Sequence, residues 1–199
     1  MRIYLIRHGE TDWNVQGRFQ GREDIPLNDT GIFQAQRCGE ALEGGKFAAV
    51  ITSPLIRAKE TAKIIASHVG VDNIIIDNDL IERDFSRISG MNFIEREAFY
   101  ASGQKDNKEP WEKLCKRMVS CIKKYGELYD GKNIIMVSHG ASIKAAISIL
   151  SDGKIDFKKN FLKNTCINII EKEMNTLTVK YFNLSFKDYL NIKQEIEIM

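Results

Sequence analysis

Long apolar runs are absent from this chain. Nothing in its 199 residues approaches the ~20 consecutive apolar positions of a membrane span. The short stretch 3–6 is followed at once by charge, unlike a secretory leader. A cytoplasmic protein with no membrane partner is the expectation. A dominant charge is also lacking: 29 Lys and Arg against 27 Asp and Glu leave a formal net charge of +2. That balance argues against nucleic acid as a partner, so any preference for anions must come from a local cluster of side chains. The four cysteines, Cys38, Cys115, Cys121 and Cys166, form no C-x-x-C pair. They read as reduced thiols in or near a core. None has an arginine six residues on, which excludes the cysteine-phosphatase loop. No H-E-x-x-H or other tight ligand cluster is present, so no metal is expected. Repeats, low-complexity tracts and linkers are missing too. One domain over 1–199 is expected, with 43% hydrophobic residues to build its core.

Histidine is scarce, with three in all, yet two of them share an unusual setting. Ile3-Tyr4-Leu5-Ile6 leads into Arg7-His8-Gly9, and Ile134-Ile135-Met136-Val137 leads into Ser138-His139-Gly140. Both imidazoles stand where a buried strand gives way to a loop. Apolar runs alternate with helical patterns along the whole chain. That order predicts an α/β fold, a three-layer α/β/α sandwich with a mostly parallel central sheet and a small inserted lid. Strands are expected over 2–6, 48–52, 73–77 and 133–137, with a hairpin pairing 167–171 and 177–182. Helices are expected over 31–43 with Thr30 as cap, from Ser53-Pro54 (N-cap and N1) to about 69, over 110–129, and over 141–150. Residues 13–29 read as a polar loop. Residues 82–110 are polar and irregular, the candidate lid and substrate-specificity segment. Residues 184–199 have no clear pattern and fit a tail, a short helix or a partner-facing segment.

Functional side chains of a parallel sheet collect at the carboxyl ends of its strands. His8 and His139 sit at such ends, and Ser53 launches the helix that carries Arg57 one turn in, where free N–H groups favour an anion. If the strands concerned are neighbours, Arg7, His8, Arg57 and His139 converge. Two guanidiniums and two imidazoles match a phosphoryl group: planar forks hold its oxygens, and an imidazole nitrogen can attack phosphorus. Either histidine alone would read as structural, and His68 reads as an exposed residue near a helix C-terminus. Two other phosphate motifs fail. The run 126–132 nearly fits a P-loop, but Asn133 replaces Ser/Thr and a strand follows where a helix should. Asp77-Asn78-Asp79 after an apolar run resembles an aspartyl-phosphate site, yet it lies in mid-chain and reads better as a turn.

Further motifs keep a familiar order: Ile6-Arg7-His8-Gly9-Glu10-Thr11, Asn14, Gln20-Gly21, Pro26-Leu27-Asn28, Gly31, Ser53-Pro54-Leu55, Arg57-Ala58, Leu80-Ile81-Glu82, Ser138-His139-Gly140 and Asn164. In these the chain resembles the histidine phosphatase superfamily, also called the phosphoglycerate mutase-like family. The resemblance implies that His8 is the nucleophile and becomes phosphohistidine. It implies that Arg7, Arg57 and His139 hold the phosphoryl oxygens, that Asn14, Gln20, Gly21 and Gly140 add to the phosphate site, and that Glu82 is the general acid and then the base. Gly9 would let the backbone pass close to the phosphate. No metal or cofactor is implied, because arginine and histidine supply the positive charge. The partner would be a small-molecule phosphate ester, and the protein a monomer or homodimer. These roles require His8 to be neutral and Glu82 to hold a proton near neutrality, favoured by burial beside phosphate. His139 suits a cation or donor, so the two imidazoles are expected to differ in protonation.

Phosphatases and mutases of this family share the first step and differ in what accepts the phosphoryl group. Around Glu82 the chain has Ser86 where a glycine usually stands and Ser89 where many phosphatases carry a carboxylate. It has Phe93 where mutases usually carry lysine, and the stretch from Glu82 to the helix at 110 is short for a mutase. A phosphomonoester phosphatase is the expectation, with a mutase as the alternative. A catalytically inactive binding module is the further alternative, opposed by the intact set Arg7, His8, Arg57, Glu82 and His139. Phe85, Met91, Phe93, Phe99 and Tyr100 could wall the pocket, although simple packing accounts for most of them.

Overall fold

Side chains 3–6 are all buried, alternating between two faces of one strand. A strand apolar on both faces needs helices above and below it. The computed structural model, which describes residues 1–155, 157 and 161–198, supplies them. The order is β1 (Arg2–Arg7), α1 (Asp12–Val15), α2 (Asp29–Leu42), β2 (Phe47–Thr52), α3 (Ile56–Val69) and β3 (Ile74–Ile76). Two short 3-10 turns follow, Asn78–Leu80 and Ser86–Ile88, then α4 (Phe93–Ala101) and α5 (Trp111–Leu128). The chain continues through β4 (Asn133–Ser138), α6 (Gly140–Leu150), β5 (Ile167–Glu173), β6 (Thr176–Leu184) and α7 (Phe186–Ile198).

The six strands lie in the order β3-β2-β4-β1-β5-β6. β4 pairs in parallel with β1 and β2, and β2 with β3; β5 and β6 add an antiparallel hairpin. The fold is α/β with a mixed, mostly parallel sheet. Ile3, Leu5, Ile134 and Met136 face Leu114, Met118 and Ile122 of α5 and Ile143 and Ile147 of α6. Tyr4, Ile6, Ile135 and Val137 face the other way, toward Leu42 of α2, Ile65 of α3, and Tyr189 and Ile196 of α7. Because β4 lies between β1 and β2, the ends carrying His8, Ser53 and His139 fall side by side.

Several sequence expectations change. Helix α2 is capped by Asn28, whose side chain accepts from Gly31 N–H, and Thr30 lies inside it. Helix α3 starts at Ile56, so Ser53 and Pro54 precede it; Ser53 Oγ accepts from Leu55 N–H and also meets His139. The loop 13–29 begins with the single turn α1, capped by Thr11. Of the readings for the C-terminal segment the helix holds: α7 buries Tyr189 and Ile196 against the sheet. His68 packs its ring over Gly39 and meets Glu43 through Nδ1 at 2.8 Å. Asp77 caps the turn at Asn78–Leu80, which accounts for the Asp-x-Asp pattern. All four cysteines are buried and free.

Candidate active site

His8 ends its strand under tight control. Its N–H donates to Ser138 O at 3.0 Å, and its carbonyl accepts from Asn164 Nδ2 at 3.1 Å. Nδ1 lies 2.6 Å from Gly9 O. A carbonyl can only accept, so Nδ1 carries the proton and Nε2 keeps its lone pair. Gly9 is needed for packing: a Cβ there would stand 2.5 Å from Gly31 O. That close approach to α2 by itself requires a glycine here. Gly9 N–H donates to Thr61 Oγ1, which donates to Arg57 O, tying the His8 loop to α3.

The second histidine stands close, with ring centroids 5.1 Å apart and planes tilted by 54°. His139 Nε2 lies 2.7 Å from Ser53 Oγ. Ser53 Oγ, which accepts from Leu55 N–H, can give its own proton to Nε2, and the imidazole proton then stands on Nδ1. Burial, then Arg57 and Arg7, hold His8 well below its ordinary pKa. Burial, then Arg57, His8 and Arg7, do the same to His139. Both rings are therefore neutral in the free protein, against the expectation that they differ. His139 offers a neutral N–H donor.

Arg57 is 1% exposed and has no carboxylate in its fork. Its Nη1 donates to Glu23 O and its Nη2 to Gly21 O, at 2.7 and 2.8 Å. Burial lowers its pKa to about 10, which leaves it charged at neutrality. Arg7 Nη1 donates to Leu162 O at 2.5 Å. Arg7 Nε, Arg57 Nε and His139 Nδ1 are buried with no protein acceptor among the described residues. Three such donors beside one imidazole form a cradle suited to an anion, since buried donors are otherwise satisfied.

Glu82 enters from the turn after β3 and lands on the first turn of α6. Oε1 accepts from Arg83 N–H and Ser142 N–H and shares the one proton of Ser142 Oγ with Ile81 O, and Oε2 accepts from Ala141 N–H alone. A Cβ on Gly140 would stand at ordinary contact distance, 3.6 Å from Arg7 Nε and 3.9 Å from Glu82 Oε2, so Gly140 lies directly beside both groups. Oε2 is the oxygen left with capacity to exchange a proton. Helix donors, beyond the burial expected from the sequence, fix its place.

Arg7, His8, Asn14, Gln20, Arg57, Glu82 and Gly140 line one cleft of about 390 Å³. Asn14 Oδ1 accepts from Thr11 N–H and Asn164 Nδ2, which leaves its Nδ2 without a protein partner among the described residues. Gly21, with φ +54°, acts at one remove, its carbonyl holding Arg57. The rim holds residues that the sequence did not single out: Arg18, Phe19, Lys144, Phe161 and Leu162. Lys144 was legible in principle, since it stands four residues after Gly140 and so on the same face of α6. Of the five apolar candidates in 82–110, Phe85 alone lines the cleft, stacked on Phe19 at 4.5 Å. Phe99 is buried in packing, whereas Phe93 and Tyr100 are exposed.

A family model described as histidine phosphatase superfamily (branch 1) matches residues 3–185. The chain belongs to this superfamily. The uncharacterized phosphatase PhoE of Bacillus subtilis is 37% identical over 183 residues, 92% of this chain and 94% of that one. The 2,3-bisphosphoglycerate-dependent phosphoglycerate mutase of Cytophaga hutchinsonii is 31% identical, over 72% of this chain and 74% of its own length. Among solved structures, a phosphoserine phosphatase mutant from Entamoeba histolytica, in complex with phosphoserine, superposes with a TM-score of 0.80. It is 28% identical, and the match covers 92% of this chain and 97% of the other. The relatives of this chain thus include both phosphatases and mutases. No helix among its described residues is long and apolar enough to cross a membrane.

Proposed function

We propose that this chain is a metal-independent phosphomonoesterase that acts on a small organic phosphate through a phosphohistidine. The supporting observation is the set of three buried, unpaired donors, Arg7 Nε, Arg57 Nε and His139 Nδ1, around His8. They present a fixed field to the charge that spreads over the phosphoryl oxygens as it transfers. His8 Nε2 attacks phosphorus as the ester P–O bond breaks, and the departing electron pair takes a proton from Glu82 Oε2. In the second step Glu82 takes a proton from water, the new P–O bond forms and the P–N bond breaks. Inorganic phosphate leaves and His8 returns to its neutral state.

The rim favours hydrolysis of a partly apolar ester. Phe19 and Phe85 stack on one side, and Phe161 and Leu162 stand on another. A mutase reading draws support from Lys144, which lines the cleft beside Arg7. Its described contacts are the rings of Phe157 and Phe161, at 5.9 and 5.6 Å, with no ion pair to a carboxylate among the described residues. Such a cation suits a second negative charge on the substrate. Turnover of p-nitrophenyl phosphate that persists in EDTA, with release of inorganic phosphate, is the expected result. Loss of activity in EDTA would contradict the metal-free reading. Incubation with 3-phosphoglycerate and 2,3-bisphosphoglycerate separates the two activities: fast 2-phosphoglycerate formation without phosphate release would favour the mutase.

A further inference from the structure

The proton donor sits on a loop, and loops move unless something holds them. A general acid must lie within hydrogen-bond reach of the oxygen it protonates, and small misplacements are costly. Residues 79–82 are held to an unusual degree. Arg117, on α5, donates through Nη1 to Asp79 O and Ile81 O, both at 2.7 Å, and through Nη2 to Glu82 O at 3.2 Å. The remaining carbonyl, Leu80 O, accepts from Ser138 Oγ at 2.7 Å, and Ile81 O accepts again from Ser142 Oγ at 2.8 Å.

The fork of Arg117 is itself locked. Its Nε and Nη2 meet the two carboxylate oxygens of Glu109 at 2.9 and 3.0 Å. Glu109 is buried, and its Oε2 also accepts from Asp84 N–H at 3.3 Å. Arg22 approaches Asp84 and Glu109, each at 3.7 Å. That residue lies between Gly21 and Glu23, whose carbonyls grip Arg57. Helix α5 is anchored by Leu114, Met118 and Ile122 in the core. One guanidinium thus ties the acid's backbone to a rigid helix, and its counter-ion reaches toward the loop that holds the phosphate-facing arginine.

From this geometry we infer that Arg117, locked by Glu109, is a positioning residue that fixes the Glu82 carboxyl for proton transfer to the leaving oxygen. The inference rests on the acid role given to Glu82 above. An ion pair that served only to dock α5 would not need a planar fork directed at three carbonyls of the acid's own segment. Lysine, a point charge without that fork, cannot span the same acceptors.

The test compares kcat/KM, which reports the steps through phosphoenzyme formation, for two substrates. p-Nitrophenyl phosphate expels a stable phenolate and needs little protonation. β-Glycerol phosphate expels an alkoxide and depends on the acid. R117K is expected to lower kcat/KM for β-glycerol phosphate about 30-fold while changing p-nitrophenyl phosphate less than about 3-fold. E109Q is expected to show the same selectivity at a smaller scale, and serves if R117K does not fold. E82Q is the control and should show the selectivity most strongly. If E82Q is selective but R117K and E109Q slow both substrates equally, or neither, the positioning role is overturned and the acid role stands. An E82Q variant that slows both substrates alike overturns the acid role and the inference with it.

Discussion

The floor and the rim of the cleft are built on different principles. The floor, with Arg7, His8 and Arg57 backed by the buried ring of His139, rests on strand ends and on the helices that leave them. His8 is 2% exposed, Arg57 1% and His139 0%. The rim, with Arg18, Phe85, Lys144 and Phe161, stands on loops and outer helix faces, and Phe161 is 81% exposed. Floor side chains are held by backbone carbonyls and buried hydroxyls, which cannot easily rearrange. Rim side chains are held mostly by ring stacking and by cation–ring contacts. On the proposed function the floor would serve any phosphoryl group, while the rim is free to vary with the group attached to it.

Substitutions should separate the two regions. The largest effect is expected from His8→Ala. Turnover should fall by about 10⁴-fold or more, and an acid-labile phosphoenzyme should disappear. Labelled phosphate that still attaches in that variant would move the nucleophile elsewhere. Arg57→Lys keeps the charge but loses the fork that reaches Gly21 O, Glu23 O and the anion together. A loss of about 10²-fold in kcat, with KM changed far less, is the expected result. A loss seen only in KM would place Arg57 with the rim.

Lys144→Ala tests the rim directly. A fall of about 10-fold in kcat/KM is expected for a phosphate ester that carries a carboxylate, against less than about 2-fold for p-nitrophenyl phosphate. Equal losses on both would return Lys144 to the floor. The smallest effect concerns stability. The fold holds both floor imidazoles neutral by burial and by nearby guanidiniums. The unfolded chain protonates them near the ordinary value of about 6.5, so below that pH it binds more protons than the folded one. Their contribution is complete above about pH 7 and is lost as the pH falls through about 6 toward 5. The melting temperature should drop over that range, and less steeply in His139→Asn. An unchanged slope in that variant would refute the link.

Element types were legible in the sequence because they depend on local period. The run 134–137 had to be buried on both faces, and the apolar spacing of 111–128 could only suit a helix. Cap residues were harder. Asn28 and Thr30 are both competent caps, and contact between Gly9 and Gly31 helps fix where α2 begins. Ser53 read as a cap from its neighbours, whereas in space its hydroxyl meets His139, 86 residues away. The final helix α7 was only one of three readings because its buried positions, Tyr189 and Ile196, are few and set among polar residues.

The same division runs through the site. The sequence by itself determined which groups stand at the ends of β1 and β4 and at the start of α3, since strand ends, Gly and Pro are local signals. It left undecided the nitrogen that is free on His8, the neutral state of both imidazoles, the oxygen that Glu82 leaves open, and the clamp of Arg117. Tertiary structure decided these, because each depends on a partner or on exclusion of water by chain segments distant in sequence. Gly9 O is the one local exception. Desolvation and hydrogen-bond pairing are set where the segments meet, and no periodicity along the chain encodes them.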